Sequence, residues 1–230
     1  MLSRANQSWH SWNARLEKAL DELCLEVPEV SRNKLIEFLV ELEKWNRTYN
    51  LTAIRSIDEM LVQHVFDCLA IVPAVDAYER HHQLGFEFIA DIGSGAGLPA
   101  VVLSVVRPQT RIVSIDAVEK KTSFVQFIAN KLDLDNLQSL HKRVEDISDN
   151  KFDLVISRAF ASLSKFVQLS GSLLDDNGVI AAMKANQVET EAQELLQNHS
   201  DWYVHQVDEI VVPEMQAKRC LAWLQRKKHD

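Results

Sequence analysis

Asp91-Ile92-Gly93-Ser94-Gly95-Ala96-Gly97-Leu98-Pro99 holds three of the six glycines in a chain of 230 residues. It lies between a short apolar run, Phe86–Ile92, and a stretch of helical spacing, Leu98–Val106. A strand–turn–helix unit needs glycine where its backbone takes positive φ or passes close to a ligand. The helix that follows offers unpaired N–H groups at its start. The order is G-x-G-x-G. The dinucleotide fingerprint G-x-G-x-x-G would need its third glycine at Leu98. No G-x-x-x-x-G-K-[ST] loop occurs, which argues against an ordinary P-loop NTPase.

The rest of the chain sets this turn in an α/β pattern. Strands are predicted at Phe86–Ile92, Arg111–Asp116, Leu137–His141, Phe152–Ser157, Val179–Lys184, Tyr203–Val207 and Cys220–Gln225. Helices are predicted at Leu98–Val106, Lys120–Leu132, Ser162–Leu174 and Val188–Asn198. This alternation implies a mostly parallel, seven-stranded, Rossmann-like sheet with helices on both faces. The last two strands have no helix between them, so they are expected to pair antiparallel. Before residue 76 apolar residues recur at helical spacing: Leu35, Phe38, Leu39, Leu42, Trp45 and Tyr49 form one stripe, and Leu61, Val65, Phe66, Leu69 and Val72 another. Residues 8–25 read as a weaker helix. Ser56-Ile57-Asp58-Glu59 has the form of a capping box, and Pro73 reads as a stop. The polar stretch from Asp76 to Gly85 reads as a connector. Two units are therefore expected: a helical extension over residues 1–80, packed on an α/β domain over residues 81–230.

Composition narrows the class. Twenty-five basic against 33 acidic residues give a net charge of −8, unlike a protein that coats nucleic acid along a broad basic face. Cys24, Cys68 and Cys220 form no C-x-x-C pair, arguing against a disulfide framework or structural zinc. Each reads as a small buried hydrophobe lying off the crevice loops. The first residues lack an apolar core of the secretory kind, and no uninterrupted apolar run approaches the roughly 18 residues that span a bilayer. A reducing cytoplasm is the expected location.

Candidate ligand groups fall at the strand ends. Asp116, ending the second strand, is placed to accept both hydroxyl hydrogens of an adenosine ribose, in NAD or in S-adenosylmethionine. Arg143-Val144-Glu145-Asp146 follows the third strand, where an adenine edge would lie. Ser157-Arg158-Ala159-Phe160 follows the fourth, at the switch-point crevice. Gly95 and Gly97 are expected where the backbone passes under the ligand. Basic residues gather near the crevice: Lys142, Arg143, Arg158, Lys184, Lys218 and Arg219, with Arg226-Lys227-Lys228 at the tail. His64 and Asp67, three apart, read as a packed or solvent-facing pair. No Asn/Asp-Pro-Pro-aromatic motif of exocyclic-amine methylation and no Pro-Cys pair of pyrimidine C5 methylation occurs.

Asp91-Ile92-Gly93-x-Gly95-x-Gly97-Leu98-Pro99, Trp45-Asn46-x-x-Tyr49-Asn50-Leu51-Thr52, Arg143-Val144-Glu145 and Ile156-Ser157-Arg158-Ala159-Phe160-Ala161, in this order over residues 35–225, resemble the bacterial 16S rRNA guanine-N7 methyltransferase G family, also called the glucose-inhibited division protein B family. The resemblance implies a class I fold, S-adenosyl-L-methionine as cofactor, and methylation of one guanine in the 530 loop of 16S rRNA within the small ribosomal subunit or its precursor. By position it makes Gly93, Leu98, Val144, Glu145 and Arg158 cofactor contacts, joined by Gly95, Gly97 and Asp116 from the residues themselves. Lys184 and Arg219 match basic positions at the mouth, and Arg143 and Asn50 join Arg158 as groups that position substrate. Ala96, Ala100 and Ala185 stand where proline, glycine and glycine are common. Guanine N7 carries a lone pair and no proton, so no general base and no metal is expected. Other targets on the same scaffold, or a non-catalytic nucleotide- or RNA-binding module, are the competing readings.

Overall fold

The computed structural model of the chain describes residues 4–148, 151–158, 160, 162–185 and 188–227. Among them seven strands form one sheet: β1 (Phe88–Ile92), β2 (Arg111–Asp116), β3 (Leu137–His141), β4 (Phe152–Ser157), β5 (Leu174–Lys184), β6 (Trp202–Ile210) and β7 (Arg219–Arg226). Their order is β3-β2-β1-β4-β5-β7-β6. The first five are parallel, whereas β7 runs antiparallel to both β5 and β6. The sheet is thus mixed, and the expected antiparallel pair is present.

Alternate residues of each strand feed two cores. On one face Leu221 and Trp223 of β7 join the core that also takes in α6 (Ala100–Val106) and α7 (Glu119–Lys131); on the other Ala222 and Leu224 join the core that takes in α8 (Leu163–Ser170) and α9 (Val188–Asn198). With both faces covered, the central strands carry nearly continuous apolar sequence. The first face is closed by helices from the N-terminal third: α1 (Arg4–Glu22), α2 (Glu29–Tyr49), α3 (Ile57–Met60), α4 (Asp67–Leu69) and α5 (Val72–His82). Both predicted stripes point inward except at Tyr49, which ends the first one exposed beside Trp45. Leu35, Phe38, Leu39 and Leu42 are fully buried, and Trp45 lies 5.3 Å from Phe124 and 5.1 Å from Phe127 of α7. Ser56 caps α3 as predicted, accepting the Glu59 N–H and donating to the Glu59 carboxylate.

Between α3 and α4 the chain makes a π-helical turn, Leu61–Phe66. The helical stretch Ile57–His82 is long and apolar enough by composition to cross a bilayer, but 67% of its 18-residue apolar window is buried inside the fold. Here the composition serves a core, as burial on all sides demands.

Three boundaries differ from expectation. Pro73 begins α5 rather than ending a helix, since the first turn has no use for the missing N–H. The stretch read as a connector is the body of α5. Its polar residues have distant partners: Asp76 and Glu79 both bind Arg107 at 2.7 Å, and Glu79 also accepts the Phe86 N–H. The helix predicted over Ser162–Leu174 stops at Ser170, and β5 starts at Leu174 with an irregular register opposite Phe152 and Leu154.

Trp223 joins β7 to α5. It is fully buried, stacks on Tyr78 at 3.8 Å and donates its indole N–H to Asp208 at 2.7 Å. Trp223→Ala is expected to cost about 3–5 kcal/mol, measured as a lower urea midpoint. A loss under about 1 kcal/mol would show that this seam does not hold the sheet edge to the helical layer.

Candidate functional site

The glycine turn leaves β1 with φ of 68° at Gly93, 60° at Gly95 and 85° at Gly97. Two hydrogen bonds tie it to β2, from the Gly93 and Ser94 N–H groups to the Ile115 carbonyl at 2.8 and 3.1 Å. The Ser94 and Ser114 hydroxyls meet at 2.6 Å. The glycines face different ways. A Cβ at Gly95 would meet nothing within 4 Å, whereas one at Gly97 would lie 2.6 Å from Val101 Cγ2 and 3.0 Å from Val125 Cγ2. Gly95 therefore borders open space. The Cβ direction of Gly97 faces Val101 of α6 and Val125 of α7.

Two aspartates hold the turn from below. Asp116 accepts the Gly95 N–H on Oδ2 and the Val118 N–H on Oδ1, both at 2.9 Å, with Lys121 Nζ 3.6 Å away. Asp91 is fully buried; its Oδ2 accepts the Ala100 N–H at 3.0 Å, and its Oδ1 has no partner among the described residues. Burial pushes the Asp91 carboxyl up to about 7, against the pull of the Ala100 N–H and Arg158, with the Asp116 charge adding to the rise. Above the turn a cavity of about 210 Å³ is lined by Gly93, Asp116, Lys142, Arg143, Val144, Glu145 and Phe160, among others. The residues expected after β1, β2 and β3 thus meet at one cavity. Leu98 is buried beneath the turn.

A second cavity, of about 350 Å³, lies over the ends of β4, β5 and β7 and is lined by Gln63, His64, Asp67, Arg158, Lys184 and Arg219, among others. The buried Asp67 carboxylate binds two arginines, Arg158 Nη1 at 3.2 Å and Arg219 Nε at 2.8 Å. Arg158 Nη1 also donates to the Gln63 carbonyl at 3.0 Å. Lys184 is mostly buried. It bonds the Glu191 carboxylate at 2.7 Å and the Phe160 carbonyl at 3.1 Å, so it braces the loop after β4 while lining the cavity. His64 joins Thr52 Oγ1 at 2.9 Å and the Gln63 carbonyl at 3.0 Å. Burial, then the Arg158 charge, lowers its pKa to about 4.

Asn50 ends α2 in a left-handed conformation, with φ of 50°, and its side-chain Oδ1 accepts from Arg55 Nη2 at 2.9 Å. Its neighbour Asn46 is buried and ties down the following loop by bonds to Thr52 and Ile54. Ala185 is not among the described residues with positive φ, so its Cβ meets no backbone conflict. Ala159, Ala161 and Lys228 lie outside the described residues. Of the cysteines only Cys68 is fully buried; Cys24 is exposed. Cys220 is half-buried and pairs in register with Lys184, closer to the crevice than expected. Asp67 and Gln63 line the crevice, and Glu191 braces Lys184 behind it, without having been selected as site residues by sequence reasoning. The spacing of His64 and Asp67 was the one available signal.

A family profile described as rRNA small subunit methyltransferase G matches residues 31–222. The "Ribosomal RNA small subunit methyltransferase G" of Bordetella petrii is 44% identical over 214 residues, covering 93% of this chain and 83% of that one. Its namesake from Bordetella pertussis is 43% identical over 213 residues, with 92% of each chain covered. Among solved structures, the magnesium protoporphyrin IX methyltransferase of Synechocystis PCC 6803 with bound SAM superposes with a TM-score of 0.57 at 12% identity, covering 83% of this chain and 97% of that one. The ribosomal protein L11 methylase of Lactobacillus delbrueckii subsp. bulgaricus gives 0.51 at 15% identity, covering 71% and 77%. These two likenesses establish a methyltransferase fold.

Two outcomes are expected from this geometry. Gly97→Ala puts a methyl group against Val101 in a left-handed backbone, so it should lower the urea midpoint by more than Gly95→Ala does. Equal losses would mean that the two positions are packed alike. The raised Asp91 pKa means that the folded protein holds this proton more tightly than the unfolded chain. The associated stability is present below the ordinary carboxyl range and is lost as pH rises through about 7. Asp91→Asn should therefore gain stability over the parent at pH ~8, a gain that disappears by pH ~4. A difference that does not change with pH would remove Asp91 as a buried titrating group.

Proposed function

The chain belongs to the rRNA small subunit methyltransferase G family, and on that premise we propose that it transfers a methyl group from S-adenosyl-L-methionine to N7 of a guanine in the 530 loop of 16S rRNA. Residues 81–230 serve as the methyltransferase domain in this reading, and residues 1–80 as its helical extension. The observation that carries it is the meeting of the glycine turn, Asp116 and Val144-Glu145 at one cavity, beside a second one lined by Arg158, Lys184 and Arg219.

The residues present fit the cofactor. Gly95 leaves room above the turn, Asp116 keeps lone pairs beyond its two backbone bonds for ribose hydroxyls, and the unpartnered Asp91 Oδ1 is a polar atom that a ligand or its water can satisfy. Gly93 and Leu98 border the cofactor through the turn, and Val144 and Glu145 border the adenine. Arg158 orients a carboxylate by its remaining N–H groups. The cofactor supplies an electrophilic methyl on a sulfonium.

With that group bound, guanine N7 would offer an in-plane lone pair that carries no proton, so no residue of the chain would need to take one up. Both ring nitrogens of His64 are already bonded, in keeping with a reaction that has no general base. The protein's part is to align the two reactants, an effect that supplies on the order of 7–11 kcal/mol. Arg219 and Arg143 line the cavities and, with Asn50 at the end of α2, serve in this reading as positioning groups for rRNA, and Lys184 holds the wall on which Arg158 stands. In this reading the protein acts in the cytoplasm.

The test is incubation of labelled S-adenosylmethionine with small ribosomal subunits lacking the modification, followed by mapping of the methylated base. Label at N7 of one guanine in the 530 loop is expected; label on another atom, or none, overturns the assignment. In the same assay Asp116→Ala should weaken cofactor binding about tenfold or more, by loss of charge-assisted hydrogen bonds. Unchanged affinity would take Asp116 out of the cofactor site.

A further inference from the structure

Asp67 takes no part in the transfer proposed above, yet both arginines expected to face ligands end on it. The three side chains come from distant parts of the sequence, with Asp67 91 residues from Arg158 and 152 from Arg219. Asp67 opens α4 immediately after the π-helical turn; Arg158 follows β4, and Arg219 opens β7. The carboxylate divides evenly, Oδ2 to Arg158 and Oδ1 to Arg219. Its side chain is 5% exposed, against 25% for Arg158 and 28% for Arg219. The buried member is thus the anion, and the cations reach from it toward the cavity.

A guanidinium carries five donors in a fixed fork, so a carboxylate on one edge leaves the other edge usable. Among the described residues Arg158 spends only Nη1, on Gln63 and Asp67. Arg219 spends Nε on Asp67 and Nη1 on the Lys218 carbonyl. Arg158 Nε and Nη2, and Arg219 Nη2, have no partner among the described residues. Long side chains lose rotamer freedom when they bind, and a buried anchor removes that cost before the ligand arrives.

We propose that Asp67 is a positioning residue that holds Arg158 toward the cofactor carboxylate and Arg219 toward an rRNA phosphate, so that one carboxylate which touches neither ligand sets the affinity for both. This rests on the methyltransferase reading given above. A residue of merely structural importance would weaken the protein without this pattern. Its effect would appear as lost stability and would add to the effect of either arginine substitution.

The experiment uses the full chain, with S-adenosylhomocysteine titrated by calorimetry and unmethylated small ribosomal subunits titrated by filter binding. Asp67→Asn keeps the shape and removes the charge. It is expected to weaken each ligand about tenfold. Placed on Arg158→Ala, Asp67→Asn should cost S-adenosylhomocysteine binding nothing further; placed on Arg219→Ala, it should cost subunit binding nothing further. Losses that add in full in both backgrounds overturn the proposal, as does retention of both affinities in Asp67→Asn. If Asp67→Asn unfolds at the assay temperature, Asp67→Glu keeps the charge and displaces both guanidinium groups, and must weaken both ligands for the proposal to stand. A parent protein that binds neither probe overturns the methyltransferase reading and this proposal with it. A parent that binds both, beside an Asp67 variant that does too, overturns the proposal alone.

Discussion

Everything at the crevice follows from the place of β1 in the sheet. It pairs with β2 on one side and β4 on the other, so the chain leaves β1 over one face and β4 over the opposite face. Loops that diverge in this way cannot cover the carboxyl ends of the two strands, and a cleft opens between them. The glycine turn, Asp116, the 143–146 segment and the 157–160 segment are brought together by that divergence alone. Ser157 reinforces it by donating its hydroxyl to the Ile92 carbonyl at 2.6 Å, joining the two strand ends at the point of separation.

The second constraint is electrostatic. A chain of net charge −8 lines its crevice with arginine and lysine, and three of these cations are neutralised locally by two acids, the buried Asp67 and the half-buried Glu191. Such pairing holds the cations in place while moderating the attraction that a bare basic patch exerts on any polyanion. Selectivity for one site on a large RNA is better served by a few oriented donors than by a diffuse positive field.

The sheet and its glycine turn were legible because their signals are local. Alternation, the crowding of glycine and the acidic strand end all lie within a few residues, and the strand positions of β2, β3 and β4 were read to the residue. Long-range partners were not legible. Asp76 and Glu79 read as solvent-facing because Arg107, which binds them, is about thirty residues away. Asp67 read as half of a packed or solvent-facing pair with His64 because its arginines lie far along the chain. The opposite facing of Gly95 and Gly97 depends on where Val101 and Val125 pack, which no local pattern encodes.

The π-helical turn at Leu61–Phe66 carries one residue more per turn than the α-helix on either side of it. Each residue of an α-helix advances the phase by about 100°, so the turn works as a phase shifter between two buried faces. Upstream, Ile57 and Met60 are set for the helical layer; downstream, Asp67 is set for Arg158 and Arg219. Loss of a single residue from this segment would leave a regular helix of nearly unchanged composition, with every later side chain pointing about a quarter-turn away from its present neighbours. The length of this segment, as much as its residue types, is thus part of the binding site.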